Sequence, residues 1–129
     1  MEILSTLNFY LWAAQGLLAA LFGMAGAMKA FRPIPDLSKS IDWAAEFPVP
    51  LTRFIGISEL LGAIGLILPI ATGILPGLTP LAAIGLAVIQ VLAIGFHVRR
   101  GEMQIVPANF VLLALAVFVA WGRWSLFGF

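Results

Sequence analysis

Glu59 sits in the middle of the run from Arg53 to Leu66, which is otherwise apolar enough to cross a membrane. An ionisable side chain at bilayer depth costs at least ~2.5 kcal/mol on insertion scales, so it faces protein or a water-filled cavity and takes a partner. The candidate partners follow from depth. Glu59 lies six residues beyond Arg53, and Gln90 nine before Arg99. At 1.5 Å rise per residue these positions are about 9 Å and 13 Å from the same end of a bundle, so the two side chains can meet. His97, seven residues after Gln90, shares nearly the same helical face about 10 Å nearer that end. Lys29 closes the first apolar stretch on that side and Asn109 opens the fourth. Lys29, Arg53, Glu59, Gln90, His97 and Asn109 therefore form a candidate polar core, with Glu59 at the bottom of a pocket.

Each member also has a plainer role. Lys29 and Arg53 can snorkel to headgroups, and Asn109, two residues after Pro107, can satisfy open amides at a helix start. Gln90 can act as interhelical glue. His97 can be an interfacial side chain, and a single histidine cannot supply bis-His haem ligation. Whether Glu59 is charged or neutral depends on how close Lys29, Arg53 or a protonated His97 comes. We expect a charged or hydrogen-bonded carboxylate.

The elements that position these groups follow from composition. Hydrophobic residues make up 62% and charged residues 10% of the 129, and mean hydropathy is +1.09, far from the roughly one-quarter charged make-up of soluble domains. Stretches of about 20 mostly apolar residues run over about 8–28, 51–68, 80–98 and 107–122. The expected fold is all-α, a single antiparallel four-helix transmembrane bundle over residues 1–129. The first span reads as a true span and not a cleavable leader, since Glu2 precedes it and further spans follow. Between spans one and two, prolines bracket 36–46, where Asp36 is a candidate cap for a short helix. Leu37, Ile41 and Ala44 recur there at helical spacing beside Trp43, as in a segment lying at headgroup level. The connection from Ala71 to Thr79 reads as a tight turn.

Lys29, Arg32, Lys39, Arg53, Arg99 and Arg100 fall at one end, with only Arg123 at the other. The positive-inside rule then predicts both basic connections in the cytoplasm and both termini outside it. The chain has no cysteine, which excludes disulfide relay, thiolate metal sites and iron–sulfur ligation by its own residues. Small residues mark packing faces: Ala13, Gly16, Ala20, Gly23 and Ala27 in span one, Ser58, Gly62 and Gly65 in span two, Ala83 and Ala87 in span three, Ala116 and Ala120 in span four.

Gly26 and Lys29, the series Arg53, Gly56, Glu59, Gly62, Gly65 and Leu66 followed by Pro69, and His97, Arg100, Gly101, Glu102 and Pro107 together resemble the DoxX-like family of small four-span membrane proteins. The resemblance covers nearly the whole chain, and the second-span series is its most specific part. The family is named after a subunit of a thiosulfate:quinone oxidoreductase and is similar in fold to animal endoplasmic-reticulum factors that help ligand-gated channels oligomerise. The resemblance implies that Lys29, Arg53, Glu59 and His97 belong to the family's polar core, without implying one settled activity.

The leading expectation is an accessory or assembly protein of the bacterial inner membrane, acting through intramembrane helix contacts with a membrane-protein partner or another copy of itself. One alternative is a quinone- or small-lipophile-binding subunit of a membrane oxidoreductase, in which Glu59 and His97 handle protons. Another is a small proton-coupled transporter. No catalytic set, metal site or cofactor is expected beyond a quinone or lipid ligand. The expected surroundings are the lipid bilayer, with no nucleic acid.

Overall fold

The computed structural model describes residues 2–39, 41 and 47–127, with the side chains of 126 and 127 left aside. Four long helices dominate: α1 (Glu2–Phe31), α3 (Val49–Thr72), α4 (Leu78–Arg99) and α5 (Val106–Phe127). A single short turn, α2 (Ile34–Leu37), precedes α3. Each long helix is apolar enough to cross a membrane. They run a few residues past the apolar stretches in the sequence, and the 24 residues of α3 span about 36 Å, enough for a hydrocarbon core of about 30 Å. Neighbouring pairs are α1 with α3, α3 with α4, α4 with α5 and α5 with α1, a closed ring of antiparallel helices.

The core is a stack of Leu18, Phe22, Leu66, Leu86 and Val119, with Ala14, Ala63, Ala83 and Ala116 letting the backbones approach. The face that α1 buries is Leu11, Ala14, Gln15, Leu18, Phe22 and Gly26. This corrects the small-residue stripe in that helix: Ala13, Gly16 and Ala20 are exposed, and only its lower part, Gly23 and Ala27, turns partly inward. Large side chains won the interior because they fill volume between four helices, while the buried glycine of α1 lies where two backbones cross. The crossing is at Gly26, beside Gly56 of α3.

Pro69 lies inside α3. It has no N–H to give the carbonyl four residues back, that of Gly65. The Thr79 hydroxyl of α4 donates to that oxygen at 2.7 Å, and Gln15 Nε2 of α1 donates to the next carbonyl, Leu66, at 2.5 Å. The Thr79 hydroxyl thus supplies the donor that proline removes, as lipid requires. Gly73 closes α3 in the left-handed conformation, φ 74°, which glycine adopts without penalty. At the other end α2 starts on Pro33, with no side-chain cap. Asp36, expected as the cap, lies within its first turn, because proline's fixed φ already starts the helix. Ala44 and Trp43 lie outside the described residues.

Candidate functional site

The two ends of the bundle differ in chemistry. At the end where Lys29 and Arg99 lie, Lys29 Nζ donates to Glu59 Oε1 at 2.6 Å, with the Glu59 side chain only 3% exposed. Lys29 is largely buried by this contact, with its side chain 14% exposed, and its ammonium turns toward α3. Arg53 serves the same helix differently, giving Nη1–H to the Lys29 carbonyl at 3.0 Å and so satisfying an acceptor in the last turns of α1.

Lys29, Glu59, Gln90 and His97 line one cavity of about 640 Å³. Its polar floor comes from α1, α3 and α4, and its walls are apolar and aromatic, including Phe47, Phe54, Ile89 and Phe96. Phe54 and Leu92 both line it and are 66% and 68% exposed on the outside of the bundle, so the cavity opens sideways between α3 and α4. Gln90 is buried, and its Oε1 makes no hydrogen bond to protein. Arg53 and Asn109 are not among its lining residues. Asn109 is buried in α5 with Nδ2 without a protein partner, and its position on the α5 side separates it from the other candidates.

The connection between α4 and α5 contributes Glu102 and Ile105 to the cavity lining. His97 Nδ1 meets Glu102 Oε1 at 2.9 Å, and Arg100 Nε donates to the same oxygen at 3.0 Å. The hydrogen bond from His97 holds the Glu102 carboxyl below the ordinary glutamate range; desolvation opposes it and Arg100 adds to the lowering. An ionised carboxylate only accepts, so Nδ1 carries the proton of this bond, and in the neutral ring Nε2 is the acceptor. Phe47 packs edge-on to Phe96 at 5.3 Å between centroids, and the Arg100 guanidinium lies 5.4 Å over the Phe96 ring. Glu102, Phe47 and Phe96 gave little signal as individual sequence positions, because only the turn at Gly101 (φ 74°) brings Glu102 back onto His97.

The opposite end holds a second polar network that the sequence reading missed. Arg123, placed beyond the fourth span by hydropathy, lies inside α5 and is 1% exposed. Its Nε donates to Gln15 Oε1 at 2.6 Å, its Nη1 to Asn8 Oδ1 at 2.8 Å, and it lies 5.3 Å over the Trp12 ring. No carboxylate pairs with it among the described residues. The signal was present: Asn8 and Gln15 are seven residues apart, two turns on one face of α1.

Among the described residues no three His, Asp or Glu side chains gather as a metal site. The arrangement offers hydrogen-bonding groups at the base of an apolar chamber, suited to holding the polar head of a membrane-soluble molecule. No curated protein and no solved structure matches the chain. The model of the DoxX-like family matches residues 13–119, from within α1 to within α5. With the second-span series and the Lys29–Glu59 pair inside that match, and all four spans wholly or partly covered by it, the chain belongs to the DoxX-like family of integral membrane proteins.

Proposed function

We propose that this DoxX-like protein binds a small lipophile within the membrane, its polar head against Glu59, Gln90 and His97 and its body among the aromatic walls. The observation that carries the reading is the chamber of about 640 Å³ with charged and amide groups at its base. A bundle that only needed to pack would fill this volume with side chains, and the size falls in the ordinary range for ligand pockets, about 300–1,000 Å³. Native mass spectrometry of protein purified in mild detergent tests it. The expected result is a stoichiometric small molecule that Glu59→Gln releases. An empty, homogeneous wild-type bundle would overturn it.

A second reading, assembly with another membrane protein, is favoured by one observation. Ala13, Gly16 and Ala20 form an exposed face of α1, and a Cβ on Gly16 would meet nothing within 4 Å. Helices associate in lipid through such close-approach faces. Loss of a co-purified partner protein in Gly16→Leu, with ligand content unchanged, would support it. Under either reading the distribution of cations supports an orientation with the Lys29 end in the cytoplasm.

A further inference from the structure

The chamber does not end at Glu59. Along the seam of α3 and α4 a second hollow of about 420 Å³ continues toward the far side of the membrane, and the two share Ser58 and Ile89 as lining residues. Small residues line the second hollow on both helices, Gly62 and Gly65 from α3 and Ala82 and Gly85 from α4, between Leu61, Leu78, Leu81 and Leu86. It is open to lipid, since Gly85 is exposed and a Cβ there would meet nothing within 4 Å. From Gln90 to the far end of the groove at Leu78 is about 18 Å along α4.

We propose that the groove is the tail subsite of the same ligand, which is therefore a single-chain amphiphile: a neutral hydrogen-bonding head at Glu59 and Gln90, and an extended hydrocarbon chain along Gly62, Gly65, Ala82 and Gly85. This rests on the chamber being a binding site. The head is neutral because the charges around it already offset each other, Lys29 against Glu59 and Arg100 against Glu102. A compact ring would occupy the chamber and leave the groove to bulk lipid. A chain attached to the bound head is held in the groove at its mouth, where Ser58 and Ile89 belong to both. The apolar groove on the other side of α4, against α5, touches the chamber only at Leu92 and is separate from its polar base.

The test compares hexanol and hexadecanol, two neutral single-chain probes, by their binding to the purified protein in detergent. Gly85→Leu projects a side chain into the groove from a position where a Cβ meets nothing within 4 Å, and Val117→Trp does so in the groove between α4 and α5 as the control. Gly85→Leu is expected to weaken hexadecanol about tenfold, equivalent to about 1.4 kcal/mol, while hexanol changes less than about twofold and Val117→Trp leaves both as in wild type. Equal effects of Gly85→Leu on both probes, or loss of hexadecanol only in Val117→Trp, would overturn the tail assignment with the chamber intact as a binding site. Binding of neither probe to wild type would remove the chamber reading and this one with it.

Discussion

Gly26 and Gly56 face each other with nothing between them but backbone: a Cβ on Gly26 would stand 2.7 Å from the Gly56 carbonyl oxygen, and one on Gly56 2.7 Å from the Gly26 oxygen. This contact sets the approach of α1 to α3, and it lies one turn from both Lys29 and Glu59. The ion pair closes at 2.6 Å because the two helices can come this near.

Backbone atoms cannot swing aside as side chains can. Gly26→Ala and Gly56→Ala are each expected to cost about 1–3 kcal/mol of bundle stability. Gly23→Ala, whose new methyl would meet Ala63 at an ordinary 3.7 Å, and Gly16→Ala are expected to be neutral or slightly stabilising through helix propensity. Thermal unfolding in detergent measures this. Equal midpoints for Gly56→Ala and Gly16→Ala would show that the crossing is not tight.

Lys29 and Glu59 are predicted to be strongly coupled. Removing one partner of a buried pair leaves the other charge uncompensated, at a cost of about 3–5 kcal/mol, whereas replacing both with apolar residues is often close to neutral. Lys29→Met alone should therefore unfold earlier than Lys29→Met combined with Glu59→Met. A double-mutant cycle with no interaction energy would contradict the pairing.

Arg123 tests whether geometry or charge matters at the opposite end. One planar guanidinium reaches both Gln15 and Asn8, and an ammonium cannot reproduce that fork. Arg123→Lys is expected to lower stability by about 1–3 kcal/mol through unmade hydrogen bonds at Gln15 and Asn8. A melting curve for Arg123→Lys indistinguishable from wild type would show that the fork is dispensable.

Acid should loosen the contact between Glu102 and His97. Because the folded carboxyl titrates below its unfolded value, the stabilisation is complete above the ordinary glutamate range and is lost as pH falls through the lowered folded value. Carboxyl-selective NMR should place the Glu102 midpoint below that of a model glutamate, and His97→Ala should raise it. No movement in His97→Ala would assign the lowering to another cause.

Orientation can be read with single cysteines at Ser38, beside α2, and Ser125, exposed near the end of α5. Impermeant reagents added to intact cells should label the second and spare the first until lysis. Labelling of the Ser38 position without lysis would reverse the proposed topology.

The four spans were readable because lipid demands long apolar helices, and Glu59 stood out because so few residues in those spans carry charge. Depth arithmetic also brought Lys29, Glu59, Gln90 and His97 to one chamber. Arg53 and Asn109 lie outside its lining, Arg53 reaching the cluster only through the Lys29 carbonyl, because depth along a helix does not fix which way around the bundle a side chain turns. Hydropathy placed Arg123 outside for a related reason: a window average counts a cation against a span, while the helix can continue past it when Gln15 and Asn8 wait on the neighbour. The α1 stripe misled because small residues mark both buried crossings and open faces, and only the facing helix distinguishes Gly26 from Gly16.

Pro69 has a consequence for how the protein is made. With no donor from its own helix, the Gly65 carbonyl depends on the Thr79 hydroxyl, which the ribosome delivers fourteen residues later. A backbone acceptor left open in hydrocarbon costs several kcal/mol. Released singly into lipid, α3 would carry that open acceptor until α4 arrived. A translocon that retains α3 and releases it with α4 as one hairpin avoids the exposure, so the proline makes pairwise entry the favourable route during synthesis.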